Sequence, residues 1–104
     1  MRIRPEAFRQ EDKIREEVKA VEEEMKPDVI WIRWHFGQDW KEEWGIYFKV
    51  LLSDDAAEHR LREVSEKVEK RIEERLDFED LEIFDHFNYR SESGQAKLRE
   101  ESWA

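Results

Sequence analysis

The chain contains no cysteine and no threonine, and only three glycines and two prolines. Without cysteine there are no disulfides, no thiolate zinc sites and no thiol nucleophile. Aliphatic hydroxyl nucleophiles are limited to Ser53, Ser65, Ser91, Ser93 and Ser102, and none stands in a Gly-x-Ser-x-Gly turn. Gly37, Gly45 and Gly94 are too scattered to form a phosphate-cradling loop. Cations are also in deficit: 28 acidic residues against 19 basic ones give a net charge of −9. Such a chain repels phosphate backbones, so general nucleic-acid binding is disfavoured and a basic protein partner is the natural complement. No apolar run reaches the roughly 18 residues that span a bilayer, and the opening MRIRPEAFRQEDK has no apolar core of a secretory signal. A cytoplasmic location is the expectation.

Aromatic residues are plentiful at 12%, and four of the five tryptophans, Trp31, Trp34, Trp40 and Trp44, fall between Asp28 and Leu52. That density argues against disorder. The segment reads as strand, loop, strand: β-branched and aromatic residues fill 28–36 and 46–52, and GQDWKEEWG lies between them. A nine-residue connection exceeds the usual two to five of a hairpin, and long loops between ordered strands often carry function. On the first strand Ile30, Ile32, Trp34 and Phe36 share one face and are expected to meet the core, with Val29, Trp31, Arg33 and His35 opposite.

The flanks are strongly charged, with 45% Asp, Glu, Lys and Arg overall, which suits paired charges on helix surfaces or a thermophilic source. Ile14, Val18, Val21 and Met25 form one stripe and predict a helix over 6–25, stopped by Pro27. Ala57, Leu61, Val64, Val68, Ile72 and Leu76 predict a second over 54–76, with Ser53 or Asp54 as its cap. Ile83 to Arg90 reads as a third strand. The expected fold is α/β (α+β), a single small domain over 1–104 in the order α-β-β-α-β. It has a three-stranded mixed sheet, two helices on one face, residues 1–5 frayed and a tail, 91–104, packed back with Trp103 docked on the domain.

Several side chains suggest chemistry. Asp39, Glu42 and Glu43 could hold a cation or move a proton, or simply form a solvated acidic loop. His35, His59 and His86 could ligate a metal but lack any ligand spacing, so no metal and no cofactor are predicted. Trp31 and Tyr47 could stack on bases, with Arg33 and Lys49 as the cations of that face, or could cover the sheet or bind a protein. Asp39, Trp40 and Trp44 in the loop, with Arg90, Ser91 and Gln95 after the third strand, form the candidate partner-binding set, because tryptophan and arginine dominate binding hot spots. They would be contiguous if strands one and three were parallel neighbours, with Asp39 pairing Arg90. A structural clamp for the tail is the competing reading. No catalytic residue is predicted.

Two resemblances add to this. GQDW after the first strand, the strand IYFKVLLSDD, and FNYRSESGQAKL with the closing WA resemble, over residues 30–104, a family of small bacterial proteins without established activity. Genes of that family lying beside genes of HEPN-type proteins imply a HEPN-type partner. The α-β-β-α-β order is similar to minimal nucleotidyltransferases, whose Gly-Ser and Asp-x-Asp motifs hold two magnesium ions. Here Phe36-Gly37-Gln38 lacks the serine, Gly45-Ile46-Tyr47 replaces Asp-x-Asp, and only Asp85 matches a carboxylate. The expectation is a non-enzymatic, acidic, antitoxin-like interaction protein, partner of a HEPN-type or other basic nuclease-type protein, with a homodimer also open. The alternative is a degenerate nucleotidyltransferase-like domain that binds a nucleotide or nucleic acid.

Overall fold

The computed structural model describes residues 4–98, with backbone alone for Lys97 and Leu98. The expected docking of Trp103 lies outside the described residues. Helix α1 (Glu11–Glu24) leads into strand β1 (Val29–Gln38) and strand β2 (Trp44–Leu52). Helices α2 (Asp54–His59) and α3 (Leu61–Arg75) then cross to strand β3 (Phe84–Ser91), and α4 (Glu92–Leu98) packs against β3 and β2. The sheet order is β1-β2-β3, with β1 antiparallel and β3 parallel to the central β2. The result is a small α+β fold with a mixed three-stranded sheet, as the sequence led us to expect.

The core lies between one face of the sheet and the helices. Ile46, Phe48, Val50 and Leu52 on β2 are buried against Ile14, Val18 and Val21 of α1 and Val64, Val68 and Ile72 of α3. On β1 the inward set differs from the simple alternation. The register slips between Val29 and Trp31, so Ile30 is the extra residue of a bulge and Val29, not Ile30, enters the core. Ile32, Trp34 and Phe36 beyond the bulge keep the expected face.

Both long helices are shorter than their apolar stripes suggest, because tertiary contacts compete for backbone and side-chain groups. At the first, Glu6–Arg9 forms a separate 3-10 turn. The Ala7 amide donates to the Leu81 carbonyl at 3.1 Å and the Glu6 amide to Glu82 Oε1 at 2.9 Å, which fixes this turn to the segment before β3. Pro5 is buried in the same place. At the second, the chain leaves helical geometry at Arg60, whose guanidinium donates to both carboxylate oxygens of Asp28 at 2.9 and 2.7 Å and to Asp55 at 2.7 Å. The break rotates the stripe: Ala56 is buried and Leu61 stands 46% exposed. Ser53 caps α2, its Oγ accepting from the Ala56 amide at 3.2 Å.

Candidate functional site

The hairpin pairs further than its composition implies. Gly37 faces Gly45 and Gln38 faces Trp44, so the connection is residues 39–43 rather than the nine residues expected. It is ordered by its first residue. Asp39 Oδ1 accepts from the amides of Lys41 and Glu43, both at 2.9 Å, while the Asp39 amide donates to the Glu43 carbonyl at 3.0 Å. Glu42 takes a left-handed conformation, φ 65°, and its carbonyl accepts from Gln38 Nε2 at 3.1 Å. This framework leaves Trp40 at the tip, 87% exposed, with Lys41 Nζ 5.0 Å from its ring centre. Trp44 is different: half-buried, it meets Phe8 edge on at 4.9 Å, and Phe8 in turn stacks on Phe36 at 4.5 Å.

Arg90, Ser91 and Gln95 lie elsewhere. Because β2 separates β1 from β3, the expected parallel neighbourhood of strands one and three does not occur. The loop adjoins the start of β2, whereas Ser91 pairs with Leu52 at its other end. The set is therefore two groups at opposite ends of the sheet. Asp39 does not pair Arg90. Arg90 Nη1 donates to Gln95 Oε1 at 3.0 Å, and Ser91 Oγ accepts from the Gly94 amide at 3.0 Å, which tie α4 to β3. The Ser93 amide donates to Asp54 Oδ1 at 3.0 Å.

The hairpin end of the molecule is acidic. Glu42 and Glu43 border a shallow depression with Pro5, Trp44, Phe84 and Glu82. The sheet face opposite α1 and α3 differs in its described residues. From β1 it presents Trp31, Arg33, His35 and Gly37; from β2, Gly45, Tyr47, Lys49 and Leu51; from β3, Phe84, His86, Asn88 and Arg90. Arg90 thus joins Arg33 and Lys49 on this face, a cation that strand-by-strand reading missed because the strand order was needed to place it. His35 and His86 do not meet, since Tyr47 lies between them and stacks on both, at 5.4 and 4.9 Å. Burial, with the Lys49 charge, holds the His35 imidazole below its ordinary value. Arg33 lies over the Trp31 ring at 4.0 Å.

Asp85 projects to the helix side, beside Phe87 and Tyr89. Burial raises the Glu73 carboxyl of α3, and the charges of Asp85 and Glu69 raise it further. Tyr89 Oη donates to Glu69 Oε2 at 2.7 Å and approaches the Ser65 carbonyl at 3.2 Å. Among the described residues no group of three or more histidines or carboxylates is arranged to hold a metal, and no helix is long and apolar enough to cross a membrane. No family model, curated protein or solved structure matches this chain.

Proposed function

We propose that this is a non-enzymatic interaction protein that inserts Trp40 into a pocket on a basic protein partner. The observation that carries the reading is an indole 87% exposed on a loop whose backbone is fixed by Asp39. Leaving that ring in water stabilises nothing in the fold, while its burial by a partner removes a large apolar surface at little ordering cost. The flanking Asp39, Glu42 and Glu43, against Lys41 alone, set the sign of the partner. In the antitoxin-like form of this reading the partner is a HEPN-type or other nuclease-type protein, whose nucleic-acid surface supplies the basic patch. Arg90, Ser91 and Gln95 contribute to the fold of α4 and not to this contact. The test is capture of the HEPN-type protein by co-expression with wild type and with Trp40→Ala. A hot-spot tryptophan is worth about 2–4 kcal/mol, so the variant should bind at least about 30-fold more weakly. Equal capture by the two chains would end the proposal.

A further inference from the structure

The sheet has two outer edges, and they differ. At β1 the bulge at Ile30 disturbs the edge, and the Ile32 amide donates to Glu22 Oε2 of α1 at 2.8 Å. β3 pairs with β2 along its whole length without a register slip. Among the described residues, no group bonds to the backbone on the far side of β3 between Phe84 and Tyr89. Three carboxylates overlook that edge. α3 turns Arg71 and Arg75 towards α1, where they pair Glu24 at 3.4 Å and Glu17 at 3.5 Å. Its opposite flank carries Glu69, whose Oε2 accepts from Tyr89 of β3 at 2.7 Å, and Glu73, whose carboxyl lies beside Asp85 of β3. Among the described residues, Glu69, Glu73 and Asp85 form no ion pair. Burial, then the charges of Asp85 and Glu69, raises the Glu73 carboxyl, as happens where carboxylates gather without a counter-ion.

We infer that the open edge of β3 accepts an extended segment of a basic protein as a fourth strand, its alternate lysines or arginines lying against Asp85, Glu73 and Glu69. In strand addition the backbone hydrogen bonds supply affinity and the alternate side chains supply specificity. The spacings agree. Glu69 and Glu73, four residues apart, lie about 6 Å apart along α3, and side chains on one face of a strand recur about every 7 Å, so each carboxylate can meet its own cation. The residues between those cations fall on the other face of the sheet, beside His86 and Asn88, which are both exposed. A second copy of the chain is the wrong occupant. Paired edge to edge, two copies would bring their carboxylates together, and inward-pointing charge is a means by which natural edges refuse self-pairing. Trp40 takes no part, so the inference stands or falls separately from the proposed contact at the hairpin tip.

The test is a titration of the isotope-labelled chain with an end-blocked heptapeptide of alternating threonine and lysine, followed by NMR shifts. The expected shifts centre on the amides from Asp85 to Tyr89 and on Glu69 and Glu73. Along a strand the amides of alternate residues point to the same side. N-methylation of the lysines or of the threonines should therefore abolish binding in one case and spare it in the other, whereas a peptide held by charge alone tolerates both. Glu73→Gln with Asp85→Asn removes two charge pairs and should weaken binding about tenfold without lowering the melting temperature. Glu73→Gln alone, at an exposed helix position, should weaken it severalfold and serves if the double variant does not fold. Trp40→Ala should bind as wild type does. No shift at about 1 mM peptide overturns the inference, as do shifts centred away from β3, equal binding of the two methylated peptides, or equal affinity in the charge variants. Concentration-dependent shifts from Phe84 to Tyr89 without peptide would also overturn it, in favour of a second copy.

Discussion

Trp40 stands in solvent at the hairpin tip, while Trp44, just beyond it, meets Phe8 edge on and packs against the core. Their truncations should separate cleanly. Trp40→Ala should change unfolding free energy by less than about 0.5 kcal/mol, as an exposed substitution does. Trp44→Ala should cost about 2–3 kcal/mol, below the full cost of a buried tryptophan because the side chain is only partly buried. Urea denaturation of both measures the difference, and equal losses would make the tip part of the architecture. Gly45 is constrained differently. A Cβ built there would lie 2.4 Å from the Phe84 ring, so this ring rests on bare backbone across the parallel pair. Gly45→Ala should cost about 1–3 kcal/mol by forcing the ring away. A neutral result in the same measurement would mean that Phe84 moves freely.

At the scale of elements, the two ionisable anchors act at opposite ends of the pH range. The Arg60 guanidinium holds the Asp28 carboxyl below the ordinary aspartate value. A lowered folded value adds stability above the unfolded pKa of about 3.9, which is lost as pH falls through the folded value. Wild type should therefore exceed Asp28→Asn in stability at pH 7, and the gap should close below about pH 4. A gap independent of pH would mean that the pair works by packing alone. Tyr89 shows the mirror case. Burial first, then its bond to Glu69, pushes the phenol well above its usual range. Stability from a raised value is full below the unfolded pKa and erodes as pH climbs past about 10. Tyr89→Phe should lose about 1–2 kcal/mol at neutral pH and show a shallower alkaline decline, read by melting between pH 8 and 11. An identical alkaline slope would remove Tyr89 from that role.

The same elements mark what was legible in the sequence. The strands and the stripes of α1 and α3 were readable because the side chains repeat with the period of their own backbone. The breaks were not. Gln10 and Arg60 end helical geometry where neighbouring segments compete for hydrogen bonds, and the partners Leu81, Glu82 and Asp28 are remote in sequence. The bulge at Ile30 was hidden for a related reason, since it is a property of the pairing with β2 and not of β1. Trp40 and its loop were found from composition. Grouping them with Arg90 failed because it assumed a strand order that no single strand encodes.

Taken whole, the molecule sets Asp39, Glu42 and Glu43 at the hairpin end and Arg33, Lys49 and Arg90 on one side of the sheet. The central position of β2 has another consequence, which concerns the order of assembly. β1 and β2 are joined by a short hairpin, but β3 pairs with β2 only after residues 53–83 have been made. At about 5–20 residues per second, the open edge of β2 waits about 2–6 s on the ribosome, with α2 and α3 the only new structure on hand. A bare strand edge is a template for foreign strands, so this nascent interval is the chain's period of greatest exposure to misassembly. Refolding should keep the same order, because closing the long crossover is the entropically slow step. Pulse-labelled hydrogen exchange should find the β1–β2 amides protected before those of Phe84–Ser91; the reverse order would show that the crossover, not the hairpin, nucleates the sheet.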